Sequence, residues 1–434
     1  MAIIPQQRLF GWEEIEGLGD LDRLRLVRDY MPDEKLMLEL ELERGRGRDD
    51  YPVRAMWNSV LAGIVFQHPS VASLRRELNR NGQLRDMCGF KGDTAPPDWV
   101  YSRFLTKLFD YKNLIDEIFN TLVEQCYELL PGFGRNLAID GKAIASHARR
   151  KKEGLPPDGR RDLDADTGVK TYQGQREDGT VWEKIKYWFG YKLHLIVDAD
   201  YELPVSFKVT PASYSEFKQA HALIDELGAS KPEILKVCEN FMADRGYDDG
   251  KLIKKLWEDY DVRAVIDIRN LWKDGEQTRL FEGRENIVYD YRGTVYCCCP
   301  QELKMREMAY AGVEKRRNTL KYRCPAQHYG IQCKGKQACP VKGSIRVSIA
   351  EDPRVIAPLP RSSYRWENLY KKRTSVERVN SRLDVSFGFE HHFIRGLKKM
   401  ELRCSLALCV MLAMALGRVK EKRPDLMRSL VKSA

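Results

Sequence analysis

Two aspartates stand where a short apolar run breaks into a glycine-containing turn. Asp140 ends NLAID and is followed directly by Gly141, while Asp244 ends ILKVCENFMAD and is followed, one residue later, by Gly246. A glycine there lets the chain turn sharply and leaves the carboxylate open. Either residue alone would read as a turn aspartate or a helix N-cap; two of them in one sheet read as a pair. A third acid, Glu377, lies in YKKRTSVERVNSRLD. Taken as a helix, this segment puts Tyr370, Arg373, Glu377 and Asn380 or Ser381 on one face, at spacings of three and four. Carboxylates from separate segments are what two-metal phosphodiester hydrolysis and strand transfer require. The metal would be Mg²⁺, which prefers hard oxygen ligands and keeps several waters. An arginine one turn before a glutamate is ordinarily a surface ion pair; here it is also placed to orient that carboxylate or to meet a phosphate.

These residues need a sheet to hold them. NLAID, GYKLHLIVDA (190–199) and LPVSFKVTPA (203–212) read as strands, the last two joined as a hairpin. Helix-like SEFKQAHALIDEL follows, then ILKVCENFMAD as a strand, YDDGKLIKKLWEDY as a helix and RAVIDI as a strand. The order β, β, β, α, β, α, β is that of an RNase H-like mixed sheet, with Asp140 and Asp244 at strand C-termini, where open α/β sheets place their sites. The loop HARRKKEGLPPDGRRDLDADTG (147–168) is dense in charge, Gly and Pro and reads as solvated, with DNA contact as its other reading.

Ahead of the sheet the chain reads as helical: Leu21 to Glu43, then RAMWNSVLAGIVFQ, VASLRRELNRN and DWVYSRFLTKLFD, broken by RGRGRDD and GDTAPP. Helices carrying Arg75, Arg76, Arg80, Arg103 and Lys107 suit a small DNA-binding domain; an all-helical packing domain with a solvated basic face is the alternative. The expected division is 1–130 for this helical domain, 131–268 for the first part of the catalytic core, 269–364 for a Cys-rich insertion and 365–434 for the C-terminal helices of the core. A chain of 434 residues is long enough for such an organisation, and its formal charge of +10 suits an acidic partner, nucleic acid being the commonest.

The start MAIIPQQRLFGWEEIEG lacks the pattern of a secretory signal, and the longest apolar run, 405–416, falls short of the roughly 18–20 residues of a membrane span. A buried helix, no membrane partner and a cytoplasmic location are therefore expected. Eleven cysteines without an export signal argue for reduced thiols or metal ligands. Within the insertion, Cys297, Cys298 and Cys299 precede Cys324, His328, Cys333 and Cys339. Cys297, Cys299, Cys324, His328, Cys333 and Cys339 are the candidate ligands for a structural Zn²⁺. Reduced cysteines packing a small β-rich insert are the competing reading. His194 reads as a core or sheet-face residue, and His391 and His392 as packing or capping groups.

LAIDGKA, MADRGYDD and Tyr370-x2-Arg373-x3-Glu377 together resemble the boxes of bacterial insertion-sequence DDE transposases with a Tyr-Arg-Glu-Lys signature. GYKLHLIVDADYELPVSFKVTPAS resembles that family's second and third strands, and PVRAMWNSVLAGIVFQHPSVASLRRELNRNGQLRDMCGF its helical N-terminal region. The resemblance spans about Tyr51 to Leu416 and is weakest in the insertion. It implies an RNase H-like catalytic domain preceded by helices, Mg²⁺ or Mn²⁺ held by Asp140, Asp244 and Glu377, and DNA positioned by Tyr370 and Arg373. It further implies terminal inverted repeats and target DNA as partners, assembly as a homodimer or higher synaptic complex, and nicking by water followed by attack of a 3′-hydroxyl. One position departs: the signature's lysine, seven residues after the glutamate, is Asp384 here. Arg382 is the candidate substitute for DNA contact. That departure keeps two alternatives open, an inactive or domesticated DNA-binding derivative and a metal-dependent nuclease without strand transfer.

Overall fold

A computed structural model describes residues 19–430 apart from 47–48, 149–161, 177, 179, 300, 302–303, 338 and 342. Most of the charged loop expected at 147–168 therefore lies outside the described residues. The chain begins with helices α1 (Asp22–Tyr30), α2 (Glu34–Arg44), α3 (Val53–Val65), α4 (Val71–Arg80), α5 (Gly82–Cys88), α6 (Asp98–Asp110) and α7 (Lys112–Leu129). The helix read as continuous from Leu21 to Glu43 is broken between α1 and α2 around Pro32, whose ring cannot continue a helix interior.

The strands β1 (Asn136–Ala145), β2 (Asp166–Gln175), β3 (Val181–Asp198), β4 (Leu203–Pro211), β5 (Asn240–Ala243) and β6 (Arg263–Ile266) form one mixed sheet. β4, β3 and β1 are antiparallel neighbours, and β5 and β6 continue from β1 in parallel. This is the RNase H-like arrangement expected. β1 and β5 lie centrally with both faces covered, which is why Leu137, Ala138, Ile139 and the whole of β5 are buried.

Three boundaries differ from the sequence reading. β1 runs on past Asp140 to Ala145, so that acid is inside a strand rather than at its end. ILKVCENFMAD divides into a short helix and the four-residue strand β5, because Pro232 is well placed to start a helix at its first turn. β3 extends back to Val181 and pairs with the unforeseen β2 as a hairpin arm. Trp188 covers Gly168 across that arm and Trp182 covers Gly174; a Cβ on either glycine would lie 2.3 Å or 2.6 Å from the indole. Where the arm enters the sheet, a Cβ on Gly190 would stand 2.2 Å from the Ile144 carbonyl oxygen, so only glycine fits.

Helix α8 (Glu216–Ser230) packs on β4, β3 and β1, α9 (Pro232–Val237) packs on α8, and α10 (Gly250–Tyr260) packs on β6. Beyond β6, strands β7 (Thr278–Leu280), β8 (Ile287–Asp290), β9 (Val295–Cys299) and β10 (Lys304–Glu307) form one antiparallel sheet. β11 (Ala309–Glu314), β12 (Thr319–Arg323) and β13 (Ser344–Ser348) form another, with the short helix α11 (Pro325–Tyr329) between the last two. These sheets share a small apolar core of their own, around Ile287, Leu320, Tyr322 and Ile345.

The chain then returns to the first sheet as α12 (Tyr364–Lys371), α13 (Thr374–Phe387) and α14 (Leu397–Lys420). YKKRTSVERVNSRLD is thus two helices, with Arg373 at the junction. α13 lies on β1 and β3. By length and composition α14 could cross a membrane, but 83% of its apolar window is buried in the protein. It packs against α1, α3, α7 and β4, and a Cβ on Gly417 would meet Leu26 and Tyr30 at 2.7 Å. The N-terminal helices consequently share one continuous core with the six-stranded sheet. Several of the basic residues on these helices form ion pairs near the surface: Arg75 with Asp98, Arg80 with Glu77 and Lys107 with Glu43.

Candidate active site

The parallel register Asn136↔Asn240, Leu137↔Phe241, Ala138↔Met242 sets the geometry. Continued by two residues, it brings Asp140 alongside Asp244, and equivalent positions on neighbouring parallel strands point to the same face. Asp244 ends its strand as the N-cap of a 3₁₀ turn, its Oδ1 accepting from the Gly246 N–H at 2.7 Å. Burial pushes the Asp140 carboxyl from the ordinary 3.8 up to about 6; the Lys170 ammonium opposes the rise, while Asp244 and Glu216 add to it.

Glu216 is the acid the sequence reading missed. It opens α8, on the other side of β1 from Lys142, yet it reaches both aspartate loops. A Cβ on Gly141 would lie 2.9 Å from Glu216 Oε1, and one on Gly246 would lie 3.1 Å from its Oε2. Lys192 Nζ pairs with Glu216 Oε1 at 3.2 Å. Next to these acids the Tyr247 hydroxyl is fully buried and has no hydrogen-bond partner among the described residues, and Glu216, Asp140 and Asp244 all disfavour its ionisation after burial itself. The only local signal for Glu216 was its place as the first acid of a helix following the third core strand, which is also an ordinary helix-start position.

Glu377 is not in contact with that group. Its side chain is half exposed and its Oε1 takes a 2.7 Å hydrogen bond from Arg373 Nη1. Arg373 forms the connection between the two parts. Burial lowers its pKa, but Glu377, Tyr370 and Asp140 outweigh that and hold it above the ordinary value. Its guanidinium lies 5.6 Å from the centre of the Tyr370 ring, which stacks on Trp366 at 4.6 Å. The Tyr370 hydroxyl is pushed up chiefly by burial, with Asp267 and Asp244 adding to the rise. Tyr370 and Arg373 thus border the aspartate pair, and Glu377 is joined to it through Arg373. Among the described residues, no three His, Cys, Asp or Glu side chains stand in metal-holding geometry as they are.

The two residues at the signature's departure go elsewhere. Asp384 is paired with Lys142, two residues beyond Asp140 on the same face of β1. Arg382, expected to contact DNA, is only 14% exposed and bonds Glu202 Oε2 at 2.6 Å, beside the β3–β4 turn. Arg378 and Arg428 converge on the same carboxylate. His194 is fully buried, bonded to Thr210 Oγ1 at 2.9 Å and pushed by burial down to about 3, so it is a neutral core residue. His392 accepts from the Ile394 N–H through Nδ1 at 3.1 Å.

The loop after Asp244 is tied to the far end of the insertion. Arg354 grips the fully buried Asp248 carboxylate with Nε at 2.9 Å and Nη2 at 2.6 Å. Arg361, also buried, donates to the carbonyls of Ile266, Val355, Arg354 and Arg292, which joins the end of β6 to the insertion.

A mixed sheet in this order, with two carboxylates side by side on its central parallel strands, defines an RNase H-like protein. The family described as "Transposase DDE domain" matches residues 155–413, more than half of the chain, and the chain belongs to that family. Asp244 and Glu377 fall inside the matched segment, and Asp140 lies upstream of it. Among solved structures the chain is similar to the piggyBac transposase synaptic complex with hairpin DNA, seen by cryo-electron microscopy, at 13% identity and a TM-score of 0.37. That match covers 98% of this chain and 82% of the other, a likeness too distant to carry a conclusion here. No curated protein sequence matches the chain.

Proposed function

We propose that this protein is a DDE transposase that cuts and joins DNA strands at the ends of an insertion sequence, with Asp140, Asp244 and Glu377 as its catalytic carboxylates. The observation carrying this reading is the register that sets Asp140 beside Asp244 on neighbouring central strands of a transposase-family sheet. The crowding there suits a divalent cation: Asp140 is pushed up to about 6 partly by two other acids, and the Tyr247 hydroxyl beside them has no partner among the described residues. Bound Mg²⁺ or Mn²⁺ would supply Lewis acidity and a nucleophilic water or 3′-hydroxyl at neutral pH. Asp140 and Asp244 would hold it from the sheet, and Glu377 from α13 once released from Arg373. Arg373, freed in exchange, is placed to pair with a phosphate, and Tyr370 to pack against the sugar or base.

The β2–β3 arm supports DNA as the partner. Lys170, Lys184 and Lys186 are exposed on the face that also carries Trp182, and Tyr187, 63% exposed, stands on the opposite face. Ammonium groups for phosphates next to aromatic faces for unpaired bases are the ingredients of single-strand contact. Terminal repeats as substrate, target DNA as acceptor and assembly of two or more chains around the paired ends belong to the same proposal, as does action in the cytoplasm. The alternative of an inactive derivative rested on Asp384, and the pairing of that residue with Lys142 weakens it.

The test is metal-dependent cleavage and joining of DNA ends by the wild type and by Asp244→Asn. Cleaved and joined products with the wild type alone are expected. Equal activity in the variant would remove the catalytic assignment, and cleavage without joining would favour the nuclease.

A further inference from the structure

The insertion carries a second constellation that the catalytic reading does not use. Six cysteines, Cys297, Cys298, Cys299, Cys324, Cys333 and Cys339, line one cavity of about 350 Å³ between the ends of its two sheets. None of the chain's cysteines is in a disulfide. Four of the six come from four separate pieces of backbone. Cys297 lies mid-strand in β9, opposite Ile287 on β8 and Arg306 on β10. Cys324 precedes α11, its N–H bonded to the Gly343 carbonyl at 2.9 Å. Cys333 precedes a 3₁₀ turn, its carbonyl accepting from the Lys336 N–H at 3.2 Å. Cys339 accepts from Asn286 Nδ2 at 3.5 Å.

We propose that Cys297, Cys324, Cys333 and Cys339 form a structural tetrathiolate zinc centre that fastens the 324–343 segment to both sheets of the insertion. Three features argue for it. The segment is poor in apolar residues: between Gly330 and Gly343 the large hydrophobic residues are Ile331, which is 39% exposed, and Val341. A loop with so little to bury needs another source of order, and binding of zinc is folding free energy for such a piece. Next, one cavity gathers the four thiols from β9, the start of α11, a 3₁₀ turn and the stretch leading to β13, so residues from both sheets and from the segment between them face the same space. Cys298 follows Cys297 in β9, so strand alternation turns its side chain to the opposite face of the sheet. Finally, Arg306, Lys336 and the Asn286 amide line the same cavity. A zinc ion with four thiolates carries a net negative charge, and donors around the sulfurs compensate it.

The structure also narrows the candidate set. The His328 ring stands edge-on to Tyr329 at 4.7 Å and is not part of the cavity lining. Cys299 is buried, and its Sγ would lie 2.7 Å from a Cβ on Gly335, so it packs beneath the turn. The four thiols line the wall without yet meeting at one point. Zinc binding would draw the four sulfurs in from the wall to about 2.3 Å from one ion, with χ1 the torsion that turns each of them.

The experiment uses the full chain, purified under reducing conditions with zinc and then desalted. Elemental analysis should find zinc retained by the wild type and by Cys298→Ser, and strongly reduced in Cys324→Ser and Cys339→Ser. Replacement by Co²⁺ should give the intense sulfur-to-metal charge-transfer bands of a tetrahedral thiolate site in the wild type, a signature independent of whether a variant folds. Asp140→Asn and Asp244→Asn should leave both readouts unchanged, which separates this centre from the catalytic one. A wild type that retains no zinc, or whose Co²⁺ form lacks the thiolate bands, would overturn the proposal. Loss of zinc in Cys298→Ser equal to that in Cys324→Ser would overturn the ligand assignment.

Discussion

Lys142 on β1 pairs with Asp384 on α13, on the strand face that also carries Asp140. The acid at the position where the resemblance led to a lysine being expected is therefore paired with a cation from the strand beside it. The helix face still presents no net negative charge to an incoming phosphate at that point. The lysine's side chain is only 10% exposed and that of Asp384 25%, so the pair is shielded enough to matter to α13 docking.

Asp384→Ala should leave Lys142 poorly compensated and cost roughly 1–3 kcal/mol, below the range for a fully buried pair. Asp384→Lys should cost more, because it sets two ammonium groups together. The exchanged pair, Lys142→Asp with Asp384→Lys, should recover much of the loss. Urea unfolding of the two single variants and the double variant measures the coupling; strictly additive losses would show that the two side chains do not interact.

Asp140 makes stability depend on pH with a definite sign. Its folded pKa of about 6 is above the ordinary 3.8, so between those values the folded chain binds the proton more readily than the unfolded one. The stabilisation is complete below about pH 4 and is lost as pH rises through 6. Asp140→Asn should accordingly raise the melting temperature at pH 7–8, by an amount equivalent to roughly 1–3 kcal/mol, and do little at pH 4. Mg²⁺ should stabilise the wild type increasingly as pH passes 6, and this variant much less. A melting temperature that responds to Mg²⁺ equally in both would contradict the site.

Glu216 should matter to the metal and not only to packing. Glu216→Gln removes one of the charges crowding Asp140, so the pH at which Mg²⁺ begins to stabilise the chain should fall while its maximal effect shrinks. Gly141→Ala should act through the same residue, since the added methyl would stand 2.9 Å from Glu216 Oε1 and 3.2 Å from Lys192 Cδ. Thermal melts across a Mg²⁺ series distinguish these outcomes from a bland surface change, which would leave the series superimposable on that of the wild type.

Arg354 should be costly to remove. Asp248 has no exposed side-chain surface and depends on this guanidinium, so Arg354→Ala is expected to lose about 3–5 kcal/mol in chemical denaturation. Because Asp248 follows Asp244 by four residues, DNA cleavage should fall as well, even under conditions where the variant is folded. Wild-type stability in Arg354→Ala would mean that the insertion is not anchored to the catalytic loop through this pair.

Much of this protein was legible from local pattern. Apolar runs of β-forming residues, glycine-marked turns and the 3.6-residue spacing in the final helices are properties of neighbours in sequence. They were enough for five of the six strands of the main sheet and for the candidates Asp140 and Asp244, but not for β2 or for the break that puts Tyr370 and Glu377 on separate helices. That the N-terminal helices and the sheet share one core was not legible, because α14 reaches both from the other end of the chain. Partners of charged groups were equally out of reach: Lys142 with Asp384, Arg382 with Glu202 and Arg354 with Asp248 are each more than 100 residues apart. Coulombic pairing depends on distance in space, and no spacing rule reports it. For the same reason the acids that crowd Asp140 became visible only in three dimensions, where Glu216 arrives from a helix whose sequence suggests nothing more than a helix start.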